Sequence, residues 1–141
     1  MTELATAKRC AEKMSASDHA SKALGIEIEI TEAGSATARM LVREDMVNGF
    51  DVCHGGLLFA LADTAFAFAC NAYNRVTVAG SASIEFLRPA MLGNALLAKA
   101  TEDYRGRRSG YYTVRVENQD GEAVALFHGR CVSRDESVLD S

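Results

Sequence analysis

Linkers and repeats are missing from this sequence. No Pro/Gly/Ser-rich stretch divides its 141 residues, the only proline is Pro89, tryptophan is absent, and no internal repeat is present. A chain of this length buries about two-thirds of its unfolded surface, which suffices for one core but not for two. The sequence therefore predicts a single domain spanning 1–141.

Basic charge and long apolar runs are also scarce. Lys and Arg total 15 against 19 Asp and Glu, for a net charge of −4, which disfavours a general nucleic-acid binder. Residues 1–14 carry charges throughout and do not resemble a signal peptide. A membrane span within the nearly uncharged stretch 55–74 would bury the carboxylate of Asp63. We therefore expect neither a nucleic-acid partner nor a membrane contact.

Closely spaced cysteines are missing too. The chain has four cysteines, which are far apart and form no CxxC motif: Cys10, Cys53, Cys70 and Cys131. This spacing disfavours a zinc site and a disulfide framework, and reduced cysteines that pack as small hydrophobic residues are typical of cytoplasmic proteins. We expect a cytoplasmic chain without a metal site.

Local patterns predict the order of secondary-structure elements. An N-terminal helical segment covers 1–23, with a helix at 3–14 and a second short helix that Ser17 or Asp18 caps and Gly25 ends. A loop at 45–56 precedes a helix at 57–71, and the tail 134–141 is predicted to be frayed. Hydrophobic alternation with a period of two predicts strands at 24–31, 36–42, 76–87 with Gly80 as a point of interruption, 95–103, 111–118 and 123–133.

The helix at 57–71 is expected at the centre of the fold, because it is apolar nearly all round. Strands grouped on either side of one apolar helix indicate an α+β fold in which an antiparallel sheet wraps around that helix. A doubly wound parallel sheet would need helices alternating with the strands, and the sequence does not contain them.

Asp63 is the only charged residue between Gly55 and Cys70. Burying an ionised carboxylate without partners costs several kcal/mol, so its presence needs a reason. One interpretation is a poised base or nucleophile. The other is a structural carboxylate that bonds to a turn or to a neighbouring strand.

The motif His54-Gly55-Gly56 begins the same helix. Its two glycines permit close backbone approach, and the first N–H groups of a helix are unpaired and attract anions, including a developing oxyanion. A flexible hinge is the simpler interpretation. We expect His54 to brace the loop or support a carbonyl, and Asn48 to hold either a water molecule or the loop itself.

These residues carry a resemblance to a known family. The segment NGFDVCHGGLLFALADTAFAFACN, in which Asp63 follows His54 by nine residues, resembles the signature of hotdog-fold acyl-CoA thioesterases, above all the phenylacetic acid degradation (PaaI-type) group. IEFLRPA at 84–90, the basic turn with its glycine, and VALFHGR at 124–130 extend the likeness over roughly residues 20–132.

The resemblance implies a hotdog fold, a catalytic homodimer within a homotetramer, and cofactor-free hydrolysis of acyl-CoA thioesters such as (hydroxy)phenylacetyl-CoA. It implies that Asp63 is the catalytic carboxylate, that the Gly55 N–H polarises the thioester carbonyl, and that Asn48 positions water with His54 in support.

The resemblance also implies a Ser or Thr on the strand after the helix, for which Ser81 and Ser83 are both candidates. In the basic turn, Arg105, Arg107 and Arg108 suit the phosphates of CoA, because arginine forks match phosphate oxygens. A solvated hairpin turn is the alternative for these arginines.

The helix spacing gives an independent argument for a dimer. Gly55 and Asp63 are eight residues apart, about 12 Å along a helix, so one thioester carbon cannot contact both within one chain. If both act on one bond, they come from different subunits with antiparallel helices. The alternatives to a thioesterase are a non-catalytic acyl-CoA-binding module and, less favoured, a hotdog dehydratase or hydratase.

Overall fold

The computed structural model describes residues 1–140. Its N-terminal segment contains α1 (Glu3–Ala16), where the side chain of Thr2 accepts a hydrogen bond from the Ala5 amide at 3.0 Å, and α2 (His19–Leu24). Asp18 caps α2 and Gly25 ends it in the left-handed region at φ 70°, where glycine is favoured. The predicted caps of α2 are confirmed.

Six antiparallel strands form one sheet in the order β1-β2-β4-β5-β6-β3. A one-turn 3₁₀ helix, Glu44–Met46, lies in the loop that follows β2. The predicted strand positions are confirmed, with boundary shifts of up to three residues. The strands are β1 (Glu27–Glu32), β2 (Ser35–Leu41), β3 (Thr77–Phe86), β4 (Ala95–Arg105), β5 (Ser109–Glu117) and β6 (Ala123–Ser133).

The central helix α3 spans Gly55–Cys70 and contacts every strand of the sheet. The helix was expected at 57–71 after a loop that included both glycines of the His-Gly-Gly motif, so its start is corrected by two residues. Glycine has a low helix propensity, yet the helix starts here because the preceding loop fixes the backbone of His54 in an extended conformation, φ −58° and ψ 134°.

Aromatic packing fixes α3 against the inner face of the sheet. The ring of Phe66 lies 5.6 Å from those of Tyr112 on β5 and Phe127 on β6. Gly129 leaves room for Phe66, because a Cβ at Gly129 would lie 2.8 Å from the Phe66 ring. These contacts confirm the predicted α+β architecture, with the sheet wrapped around the central helix.

One stripe of α3 remains at least partly exposed in the single chain. It includes Gly56, Ala60, Asp63, Thr64 and Ala67, whereas eight of the sixteen residues of the helix are buried. The sequence predicted a central helix that is apolar nearly all round. Apart from Asp63 and Thr64 this stripe is apolar, and the chain's own sheet does not cover it.

Strand β3 lies at the edge of the sheet and pairs only with β6 within the described residues. Most of its residues are exposed. The interruption predicted at Gly80 is a register shift between Ala79 and Ser81 rather than a break, and a bulge of this kind twists a strand without ending it.

The expectation of a frayed tail is corrected for residues 134–140. The side chain of Asn74 accepts hydrogen bonds from Ser137 Oγ and the Leu139 amide, both at 2.9 Å. Lys13 of α1 donates to the Leu139 carbonyl, and Val138 is buried. Ser141 lies outside the described residues.

Across residues 1–140, no helix has the length and apolar character needed to span a membrane.

Candidate active site

The first turn of α3 presents unpaired backbone amides. Within residues 1–140, the N–H groups of Gly55 and Gly56 make no hydrogen bond, and the side chain of His54 does not cap the helix. The first paired amide is that of Leu57, which donates to the His54 carbonyl at 3.0 Å. The helix dipole adds partial positive charge at this end, so the turn can stabilise an anionic oxygen.

Asn48 holds the loop that leads into α3. Its Oδ1 accepts hydrogen bonds from the amides of Phe50 at 2.9 Å and Val52 at 3.2 Å. This tight turn places Asp51 at φ 60°. The interpretation of Asn48 as a residue that holds the loop is confirmed. Its Nδ2 group makes no hydrogen bond within the described part of the chain, which leaves it able to bind a ligand or water.

The imidazole of His54 is exposed and makes no hydrogen bond to any of residues 1–140. Within these residues the side chain therefore does not brace the loop, and the alternative that it supports a carbonyl stays a prediction. The backbone braces the loop instead, because the His54 amide donates to the Met46 carbonyl at 3.0 Å. The imidazole remains able to contact a ligand or a second subunit.

The ring of Phe86, the last residue of β3, lies against Gly55. A Cβ at Gly55 would stand 2.9 Å from the Phe86 Cζ and 3.2 Å from Cε1, closer than side chains tolerate. A cleft of about 480 Å³ opens beside this contact. Its lining is mainly apolar, and it includes Asn48, Val52, His54, Leu58 and Phe86.

Asp63 lies two turns further along α3, on the partly exposed stripe. Its carboxylate makes no hydrogen bond or ion pair within residues 1–140, and burial raises the pKa of this carboxyl above its ordinary value. No turn or neighbouring strand of the chain supplies the partner that a structural role would need. The unpaired, half-buried state is typical of a functional carboxylate.

One chain does not bring Gly55 and Asp63 together. Both lie in the continuous helix α3, and a rise of 1.5 Å per residue separates them by about 12 Å along its axis. Gly55 and Asp63 can therefore share one site only if a second copy of α3 lies alongside the first.

Ser81 and Ser83 lie on the outer face of the sheet, away from α3. Ser81 is opposite Arg130 and Ser83 opposite His128, whereas Ala82 is opposite the inward-facing Gly129. The two serines line a separate cleft of about 410 Å³. The chain does not bring them to the amides of Gly55 or to Asp63.

The arginines of the turn between β4 and β5 differ in their partners. Arg105 stacks over the ring of Tyr73 at 3.7 Å, and Arg108 forms an ion pair with Asp135 at 3.2 Å. Within residues 1–140, the exposed guanidinium of Arg107 makes no hydrogen bond or ion pair, although the Arg107 carbonyl accepts one from Arg75 at 2.8 Å. Of this turn, Arg107 is the arginine most available to a phosphate.

Phe86 was missed as a site residue by sequence reasoning. Alternation along β3 places Ala82, Ile84 and Phe86 on one face, and that signal was readable. Its contact with Gly55 depends on how the end of β3 packs on the start of α3, which no local pattern specifies. Across residues 1–140, no cluster of three or more His, Cys, Asp or Glu side chains could hold a metal ion.

Comparisons with known proteins agree on one family. The model of the Thioesterase superfamily matches residues 50–125. Acyl-coenzyme A thioesterase PaaI of Escherichia coli (strain K12) is 44% identical over 120 residues, which cover 85% of this chain and 86% of that protein.

Solved structures of similar proteins share the fold. The E. coli PaaI protein from the phenylacetic acid degradation operon superposes with a TM-score of 0.94 at 40% identity, covering 96% of this chain and 99% of that one. A mutant of the phenylacetic acid degradation protein PaaI from Thermus thermophilus gives a TM-score of 0.78 at 36% identity, covering 82% and 98%. Together with the sheet wrapped on α3, these matches show that the chain is a hotdog-fold protein of the thioesterase superfamily.

Proposed function

We propose that this protein hydrolyses acyl-CoA thioesters, and that its substrates include phenylacetyl-CoA and ring-hydroxylated relatives. The observation that carries the proposal is the unpaired, half-buried carboxylate of Asp63 on the same helix as the unpaired amides of Gly55 and Gly56. The similarity to an E. coli acyl-coenzyme A thioesterase supports the substrate class. CoA is part of the substrate, and we propose no other cofactor.

The catalytic unit is proposed to be a homodimer formed through β3. This edge strand exposes a row of backbone groups and the apolar side chain of Val78, and Leu87 is exposed directly after its end, a combination that favours pairing with another strand. A two-fold axis normal to the sheet would pair the two β3 strands antiparallel. The same axis would set the two α3 helices antiparallel, so that Gly55 of one subunit approaches the partner's Asp63.

In such a site, the Gly55 N–H donates a hydrogen bond to the thioester oxygen and stabilises the negative charge that develops there. The partner's Asp63 either takes a proton from a water molecule that attacks the acyl carbon or attacks that carbon itself. In both cases the carbon–sulfur bond breaks and CoA leaves as its thiolate, which needs little protonation. Where Asp63 is the nucleophile, a water molecule then hydrolyses the mixed anhydride between its carboxylate and the acyl group, which releases the acid and restores the carboxylate. Asn48 Nδ2 and the His54 imidazole are available to orient the water.

The nucleotide end of CoA is proposed to bind Arg107. Its turn lies beside the C-terminal end of α3, since Arg107 and Cys70 line the same small cavity. In an antiparallel helix pair, that end of one helix lies beside the N-terminal end of the other, where the partner's Gly55 begins α3. CoA is long enough to extend from the thioester to such a cation.

Two dimers are proposed to associate into a homotetramer in the cytoplasm. Leu41, Tyr104 and Tyr111 are exposed on the outer face of the sheet, and such apolar groups favour a second interface. Light scattering coupled to gel filtration measures the assembly. The four unpaired, buried cysteines agree with a reducing compartment.

The test of the proposed function is thiol release from phenylacetyl-CoA and hexanoyl-CoA, with hydration of an enoyl-CoA followed in parallel. We expect thiol release by the wild type and its loss in Asp63→Asn. Asp120→Asn is the matched control, because Asp120 is exposed in the turn between β5 and β6. Binding without thiol release would support a non-catalytic module, and enoyl-CoA hydration a hydratase; either outcome contradicts the proposal.

A further inference from the structure

Phe86 combines exposure with contact to the candidate oxyanion donor. Its side chain is 55% exposed in the single chain, although aromatic rings of this size usually bury most of their surface. The same ring rests against Gly55, at a distance that leaves no room for a Cβ there. A group bound at the Gly55 amide would therefore have the Phe86 ring as an immediate neighbour.

The cleft next to this ring suits an apolar group. Val52, Leu58 and Leu87 line it beside Phe86, and the polar groups of Asn48 and His54 lie at the end where α3 begins. The pantetheine arm of CoA carries amides that lose water when they enter an apolar cleft without partners. The acyl group loses no hydrogen bonds there, so the cleft fits the acyl end of a thioester better.

We propose that Phe86 is a specificity-determining residue, whose exposed ring packs on the acyl group of the substrate and selects thioesters that carry an aromatic ring close to the carbonyl. This inference rests on the proposed function and adds the residue that chooses among acyl groups. Contact between two aromatic rings is more favourable than the burial of their surface area alone. This extra attraction corresponds to a preference of about two- to twelvefold for an aryl over an alkyl group.

The test compares two replacements of the same ring. Phe86→Leu keeps an apolar side chain but removes the aromatic face, whereas Phe86→Tyr keeps that face. The readout is the ratio of kcat/KM for phenylacetyl-CoA to kcat/KM for hexanoyl-CoA within each variant. Because both values come from the same preparation, a smaller fraction of folded or dimeric enzyme cancels from the ratio.

We expect the ratio to fall about two- to twelvefold in Phe86→Leu and to stay near the wild-type value in Phe86→Tyr. Phe50→Leu is the matched control, because Phe50 is 84% exposed and belongs to the loop before α3 rather than to the contact with Gly55. Its ratio should not change.

The outcomes separate this inference from the proposed function. A wild type that hydrolyses both substrates, with an unchanged ratio in Phe86→Leu or an equal drop in Phe50→Leu, overturns the role of Phe86 and leaves the thioesterase intact. A wild type that releases no thiol from either substrate overturns the proposed function itself.

Discussion

Replacing Asp63 with asparagine tests whether the carboxylate serves catalysis or the fold. The substitution keeps the shape of the side chain and removes its charge, its basicity and its nucleophilicity. A positioned general base contributes about 10²–10⁴-fold to a rate. We therefore expect kcat to fall by about that factor, with KM changed little because the helix and cleft are preserved.

The same substitution should stabilise the fold at neutral pH. Asp63 is half-buried and has no partner within residues 1–140, and burial raises the pKa of its carboxyl in the folded chain. Removing an unpaired charge should gain about 1 kcal/mol, the usual scale of one substitution, or about 3 °C in Tm. A structural carboxylate would behave in the opposite way and lose stability.

The pH dependence gives the sign of this effect independently. Because the pKa of Asp63 is raised on folding, the folded chain binds a proton more readily than the unfolded chain. The loss of folding stability that the ionised Asp63 carboxylate causes is fully present above its pKa in the folded chain, and it disappears below its pKa in the unfolded chain. The Tm advantage of Asp63→Asn should therefore be greatest near neutral pH and shrink as the pH falls through the acid range.

Thermal melts followed by circular dichroism across this pH range, together with thiol-release kinetics, measure both effects. Asp120→Asn should change neither quantity. An Asp63→Asn protein that melts below the wild type at neutral pH and keeps near-normal kcat would refute the reasoning, since Asp63 would then be a structural residue.

Three further predictions concern the glycines, the subunit origin of the site and the basic turn. Gly55→Ala should lower Tm by several degrees in thermal melts, because its Cβ would collide with Phe86; Gly56→Ala, whose Cβ would meet nothing within 4 Å, should not. Equal mixtures of Asp63→Ala and Gly55→Pro, refolded together after each variant is shown to fold and dimerise, should recover about a quarter of wild-type activity. This fraction follows because half the dimers are mixed and half the sites of a mixed dimer are intact. Confirmed heterodimers without activity would mean that each site is built within one chain. Arg107→Ala should raise KM for acyl-CoA about fivefold, the effect of one exposed ion pair. KM for an acyl-pantetheine, which lacks the nucleotide phosphates, should not change. An equal rise in KM for both substrates would contradict a phosphate contact.

Elements governed by near neighbours were readable from the sequence. The cap at Asp18 and the left-handed end at Gly25 depend on side chains within a few residues, and period-two alternation located β6 at its observed bounds, Ala123–Ser133. Asp63 was also identified from the sequence, because one charge in an apolar helix stands out without any knowledge of its surroundings.

Tertiary packing decided the features on which function depends. Whether Asp63 had a partner, which face Ser81 and Ser83 occupy, and what the His54 imidazole contacts all depend on elements distant in sequence. The strand register places both serines on the face of the sheet away from α3. Hydrogen bonds to Asn74 hold the C-terminal tail, which its polar composition had predicted to be frayed.

The sequence by itself determined the order of the elements, the apolar central helix and the residue types able to perform the chemistry, because periodicity and composition act locally. The tertiary structure alone decided that the Phe86 ring lies against Gly55, that β3 is an edge strand, and that the chain's own sheet leaves one stripe of α3 partly exposed. These are contacts between segments separated along the chain, and their geometry depends on how all the layers pack at once.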